Sequence, residues 1–147
     1  MSKQGKTIYK SSRERAGLTQ ESAVELLSVE LSQLSRYERK ETRPPDEVVA
    51  EMMDAYGDEY LGYLHLLDSP VGKRILPRGV ERCTMLEAVV KTSLAIDEYI
   101  KEIKHMMKVS VDGKVDDNEL KQWLESKGKL EEVTKGYYSI DFADGEI

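Results

Sequence analysis

Residues 16–45 read AGLTQESAVELLSVELSQLSRYERKETRPP, and their punctuation decides the fold of the first half of the chain. Gly17 closes the helix before it, because a residue without Cβ enters the left-handed region cheaply. Thr19 follows as an N-cap, with Ser22 at the position where a capping box prefers Glu or Gln. The helix it opens presents Ala23, Val24 and Leu27 inward and turns at Ser28. A second helix begins near Glu30 and buries Leu34 and Tyr37, three apart on one face. Pro44 and Pro45 end the loop that follows it.

Working outward, Thr7 caps a helix running to Ala16. Asp46 is read as the cap of a fourth helix carrying Val48, Val49, Met52 and Tyr56. Gly57 interrupts, and Asp58 is read as the cap of a fifth helix with Leu61, Leu64 and Leu66. No apolar alternation of period two appears, so five short helices are expected. Residues 69–80, SPVGKRILPRGV, are broken by Pro70, Gly72, Pro77 and Gly79, which is linker chemistry. The expected division is an N-terminal domain at 1–68, a linker at 69–83 and a C-terminal helical domain at 84–147.

The C-terminal part opens with Leu86, Val89, Ser93, Ile96, Ile100, Ile103 and Met107, spaced 3, 4, 3, 4, 3 and 4. That is a heptad seam interrupted once by serine, on a helix from 84 to 109 about 39 Å long at 1.5 Å per residue. The seam predicts a homodimer through Leu86–Met107 and, in addition, a local core against the last helix. That helix starts at Asp116 or Asp117 and carries Leu120, Trp123, Leu124, Leu130 and Val133. Gly128 predicts a break or bend in it. The tail, YYSIDFADGEI, alternates briefly and is expected to be extended or loose.

Composition narrows the function classes. The chain of 147 residues is 39% hydrophobic and 34% charged, which suits a helical protein with a modest core. No apolar run reaches the roughly 20 residues that cross a bilayer. MSKQGKTIYK has no apolar stretch, so no signal peptide is expected, and one cysteine, Cys83, fits a reducing cytoplasm. Net charge is −6, but residues 1–45 carry nine basic and six acidic residues while the remainder is strongly acidic. Screening confines phosphate attraction to about 8–10 Å, so a local basic face works despite an acidic remainder.

The 16–45 stretch resembles the lambda-repressor/Cro type of helix-turn-helix, the XRE family. The likeness rests on Arg13, Gly17-Leu18-Thr19-Gln20, Val24, Leu27, Val29, Leu34, Tyr37, Glu38 and the closing Pro44 or Pro45. It covers residues 7 to about 66, and the appended helical domain looks like that of small phage-associated regulators. The resemblance implies an all-α fold: a five-helix DNA-binding domain followed by a helical C-terminal domain. It implies that Leu31, Ser32, Gln33 and Arg36 face base edges and that Gln20 reaches a phosphate or the outermost base pair. Arg39, Lys40 and Arg43 would then sit on phosphates, and Arg13 and Glu38 would form a structural ion pair. Double-stranded DNA is the implied partner, and operator binding by a repressor dimer the implied mechanism. The alternative is an interaction adaptor or antirepressor that uses the fold without reading DNA. Val24 stands where the family usually has alanine and Ser28 where it has glycine, so a looser turn is expected.

Nothing in the chain asks for catalysis, a cofactor or a metal, and none is expected. KVSVDGKVDDNE at 108–119 resembles the back half of a calcium loop, with Gly113 and Glu119 in place. Lys108 and Ser110 occupy the first and third ligand positions, so the segment is read as a turn. His65 and His105 have no partners at metal-ligand spacing.

Overall fold

Thr7 starts the first helix by accepting from the Lys10 backbone N–H at 3.2 Å. In this computed structural model, which describes residues 6–144, the elements are all helical and no strand forms among the described residues. The chain divides into two compact units, Met1–Leu76 and Pro77–Ile147, each built around its own contacts.

The first unit contains α1 (Ile8–Arg15), α2 (Gln20–Val24), α3 (Leu31–Glu38), α4 (Asp46–Tyr56), α5 (Glu59–Leu67) and α6 (Gly72–Ile75). Leu34, Met52 and Leu61 are essentially fully buried at its centre, with Ala23, Val49 and Tyr56 beside them. Each such aliphatic side chain contributes roughly 1.5–3 kcal/mol, so the core of this small unit is carried by a few residues. These six are all apolar positions in the sequence reading, whereas Leu66, read there with Leu61 on the fifth helix, is exposed, and Tyr9 joins the core from outside that reading.

Local differences have local causes. α2 stops at Val24, earlier than expected, and Leu27 reaches the core from the turn instead. Ser22 closes the capping box at Thr19, its hydroxyl accepting from the Thr19 N–H at 2.9 Å. Asp46 is not a cap: Pro45 holds that place, and the Asp46 carboxylate lies 2.9 Å from His65 Nε2. Asp58 occupies the N-cap of α5 but makes no capping bond, because Ser12 Oγ donates to its carboxylate at 2.6 Å. Part of the stretch read as linker is α6. A Cβ at Gly72 would fall 1.8 Å from the Leu66 carbonyl oxygen, so glycine is what permits this packing.

The second unit contains α7 (Met85–Val109), a 3-10 turn (Ser110–Asp112) and α8 (Leu120–Asp141). Thr84 caps α7, and the Glu87 carboxylate accepts from the Thr84 N–H at 2.9 Å. Contrary to the sequence reading, α8 runs unbroken through Gly128 and takes in the first five residues of the tail, as far as Asp141. Thr92 lies against Gly136 and Glu102 bonds Ser126 at 3.2 Å, so the two helices run antiparallel.

The apolar seam is not the local core that was expected. Ala88 and Ser126 are fully buried, whereas Leu86, Leu94, Ile100, Met107 and Leu124 are exposed. The α7 positions that lose exposure are Met85, Ala88, Thr92, Ala95, Tyr99, Glu102, His105, Met106 and Val109. Thr92 and Gly136 bring the helices close, while Leu86, Leu94, Ile100, Met107 and Leu124 stay exposed.

Candidate nucleic-acid interface

α2 and α3 are joined by a short turn whose geometry is held from three sides. From α1, Arg13 Nε donates to Glu38 Oε1 at 2.6 Å and Nη2 to Oε2 at 2.8 Å. Arg13 Nη1 also donates to the Leu18 carbonyl at 2.6 Å, fixing the chain just before α2. From α2, Gln20 Nε2 donates to Glu38 Oε2 at 2.8 Å. From α4, the Glu51 carboxylate accepts from the Ser28 N–H at 2.7 Å and from its hydroxyl. Those bonds hold Glu51 below the usual carboxylate range. The turn is therefore clamped at Ser28, where a looser turn had been expected.

This frame divides α3 into two sides. Leu34, Tyr37 and Glu38 face inward and are buried, while Leu31, Ser32, Gln33 and Arg36 are exposed together. Gln33 Oε1 accepts from the Glu30 N–H at 3.3 Å, so its amide also closes the helix start. Beyond the helix, Lys40 adopts φ 61°, the left-handed conformation at the helix end where glycine is cheaper. Its N–H bonds Tyr37 O, and Glu41 N bonds Arg36 O, which satisfies the last carbonyls of α3.

The expected phosphate contacts are placed unequally. Lys40 is exposed. Arg39 is paired with Glu41, Nε to Oε1 at 2.7 Å, which raises Arg39 and lowers Glu41 from their ordinary values. Arg43 turns back to donate to the His65 carbonyl at 2.9 Å. Gln20 has its amide nitrogen on Glu38. Leu31, Ser32, Gln33, Arg36, Arg39, Lys40 and Arg43 are all exposed, and of the expected contacts Gln20, Gln33, Arg39 and Arg43 already bond protein partners.

Residues 10–57 match the family model described as a helix-turn-helix domain. This segment is a helix-turn-helix domain. No curated protein and no solved structure matched the chain. Among the described residues no helix is long and apolar enough to cross a membrane.

Sequence reasoning missed two supports of the helix-turn-helix domain. Glu51 looked like an ordinary polar position on α4, since a clamp on a turn 23 residues away leaves no local signal. His65 is buried, with Nδ1 2.9 Å from the Tyr9 hydroxyl and Nε2 2.9 Å from Asp46 Oδ1 and 3.1 Å from Arg43 Nη2. Its position among leucines on α5 could have flagged it, because a polar ring on an apolar face needs internal partners.

Proposed function

We propose that the chain is a sequence-specific, DNA-binding regulator of transcription that acts as a repressor dimer on an operator. The carrying observation is the division of α3: one side anchors the helix through Leu34, Tyr37 and Glu38, and the other leaves Leu31, Ser32, Gln33 and Arg36 exposed. A major groove about 12 Å wide admits a helix presented in this way. In this reading Arg36 bonds guanine, Gln33 reads adenine and Leu31 meets a thymine methyl. Lys40 takes phosphate directly, and Arg39 and Arg43 do so by exchanging protein partners for DNA.

Dimerisation belongs to the same reading. The α7–α8 hairpin leaves Leu86, Leu94, Ile100, Met107 and Leu124 uncovered, and a second copy supplies equivalent surfaces by two-fold symmetry. Two-fold operators with half-sites about one helical turn apart follow, and promoter occlusion gives repression.

Selection of binding sites from a random duplex pool tests the reading. A recovered two-fold sequence, bound with an affinity that falls steeply as salt rises, is the expected result. A pool that stays unenriched, with equal and negligible affinity for all duplexes, overturns it in favour of a protein-binding adaptor.

A further inference from the structure

On the first unit, a cleft of about 520 Å³ opens between the start of α1, the loop after α3, and α5 with α6. Its volume lies within the range of about 300–1,000 Å³ typical of small-molecule sites. The lining is segregated. Tyr9, Tyr37 and Leu64 are buried or half-buried, and Lys40, Arg43 and Lys73 are exposed. The Tyr9 hydroxyl is already committed to His65, so Tyr9 offers the cleft its ring. One carboxylate, Asp68, shares the lining and pairs with Lys73 at 3.4 Å in the open, leaving a net excess of positive charge.

Lys40 lines the cleft from the left-handed turn that ends α3, and Arg43 and Lys73 complete its cationic side. Phosphate alone would use the cations but not an aromatic floor.

We propose that this cleft binds a small aromatic carboxylic acid, its ring against Tyr9, Tyr37 and Leu64 and its carboxylate between Lys40, Arg43 and Lys73. An anion with an apolar body satisfies both halves of the lining at once. Lys40 and Arg43 also serve as phosphate contacts in the DNA-binding reading, so the bound acid competes with DNA and acts as an inducer. By linkage, DNA weakens the acid by the same factor. The inducer step rests on the DNA-binding reading; the site itself does not.

Titration of the intact ¹⁵N-labelled protein with indole-3-acetate tests the site without DNA. The expected result is saturating shifts at the amides of Tyr9, Lys40 to Arg43 and Leu64 to Lys73, with a Kd on the order of 1 mM for a fragment of this size. Tryptophol, with the same ring system and no carboxylate, and inorganic phosphate, with charge and no ring, should each bind at least about tenfold more weakly. Lys73→Ala, at an exposed position outside the proposed DNA face, should weaken the acid severalfold and leave DNA affinity unchanged. Shifts that map elsewhere, fail to saturate, or are matched by tryptophol or phosphate overturn the site. With a selected duplex, saturating acid should lower DNA affinity. Acid bound in the cleft with DNA affinity unchanged overturns the inducer step, and a protein that binds no duplex leaves the titration to decide the site.

Discussion

Arg13 on α1 and Glu38 on α3 meet as a bidentate pair whose side chains are 7% and 2% exposed. Glu38 accepts from Arg13 twice and from Gln20 once, so one carboxylate ties three helices together. Removing either partner leaves a buried charge without its counter-ion, which costs on the order of 3–5 kcal/mol. Arg13→Ala and Glu38→Ala should each show that loss in urea unfolding, and the double variant should lose less than their sum. Strict additivity would show that the pair does not couple α1 to α3.

Tyr56 packs beside this pair, and burial, followed by the Glu38 charge, pushes its hydroxyl up to about 12 from 10.0, against the opposing effect of Arg13. In the folded state it keeps its proton at a pH where an unfolded tyrosine has lost it. Stability is therefore fully present below pH 10 and falls as pH rises toward about 12. The slope approaches about 1.4 kcal/mol per pH unit for one group. Tyr56→Phe should flatten that alkaline limb. It should also gain about 1 kcal/mol at neutral pH, because among the described residues this buried hydroxyl has no hydrogen-bond partner. An alkaline limb unchanged in the Phe variant would assign the transition to other tyrosines.

On the proposed DNA face, the side chains differ in what must be broken before they bind. Arg36→Ala should cost roughly 1–3 kcal/mol on the selected operator and relax one base position. Glu41→Gln should tighten binding to all duplexes, since it releases Arg39 and removes a negative charge near phosphate. Lys40→Gly should stabilise the fold by about 1 kcal/mol through relief of the left-handed backbone. It should also weaken every duplex similarly. Filter-binding curves against salt for the three variants check this set, and an Arg36→Ala protein with parental specificity would move base reading off α3.

The helix-turn-helix half was legible because its signals are local. Thr7, Thr19 and Thr84 cap where they stand, and Leu34 and Tyr37 share the face their spacing implies. What failed was set by distant partners. Asp46 looks like a cap, but its carboxylate lies against His65; Asp58 does hold the N-cap of α5, yet its carboxylate accepts from Ser12 and makes no capping bond. The hairpin seam escaped because Ala88, Thr92, Ser126 and Gly136 carry almost no hydrophobic periodicity, while the louder seam beside it faces outward. Of the candidate site, residue types and face were readable; the pairing of Arg39 with Glu41 and of Arg43 with His65 was not.

Gly128 and Gly136 lie on one helix and should respond oppositely to a methyl group. Nothing lies within 4 Å of a Cβ built at Gly128, so Gly128→Ala should stabilise α8 by about 1 kcal/mol through helix propensity. A Cβ at Gly136 would fall 2.5 Å from Thr92 Oγ1 and 2.9 Å from its Cβ. Gly136→Ala should therefore lower the melting temperature, and Thr92→Ala should restore much of the loss. Two alanine variants with the same melting temperature would contradict the close approach of α7 and α8.

The exposed seam makes a sharper prediction, because its residues are not what holds the hairpin together. Leu94 and Ile100 are 61% and 57% exposed, and the hairpin's own contacts run through Ala88, Thr92, Glu102 and their partners. The hairpin leaves these outer aliphatic side chains in water, so it forgoes the roughly 25 cal/mol per Å² that their burial would provide. Covering the outer aliphatic face with a second copy supplies the missing area, and standard interfaces bury about 800 Å² per partner. Ile100→Glu should thus leave the first unit folded, abolish the dimer, and weaken operator binding by removing the second half-site contact. Sedimentation equilibrium at micromolar concentration reads the first effect and operator titration the second. If the parent sediments as a monomer, or if Ile100→Glu remains a dimer, the seam is covered by something other than its own copy.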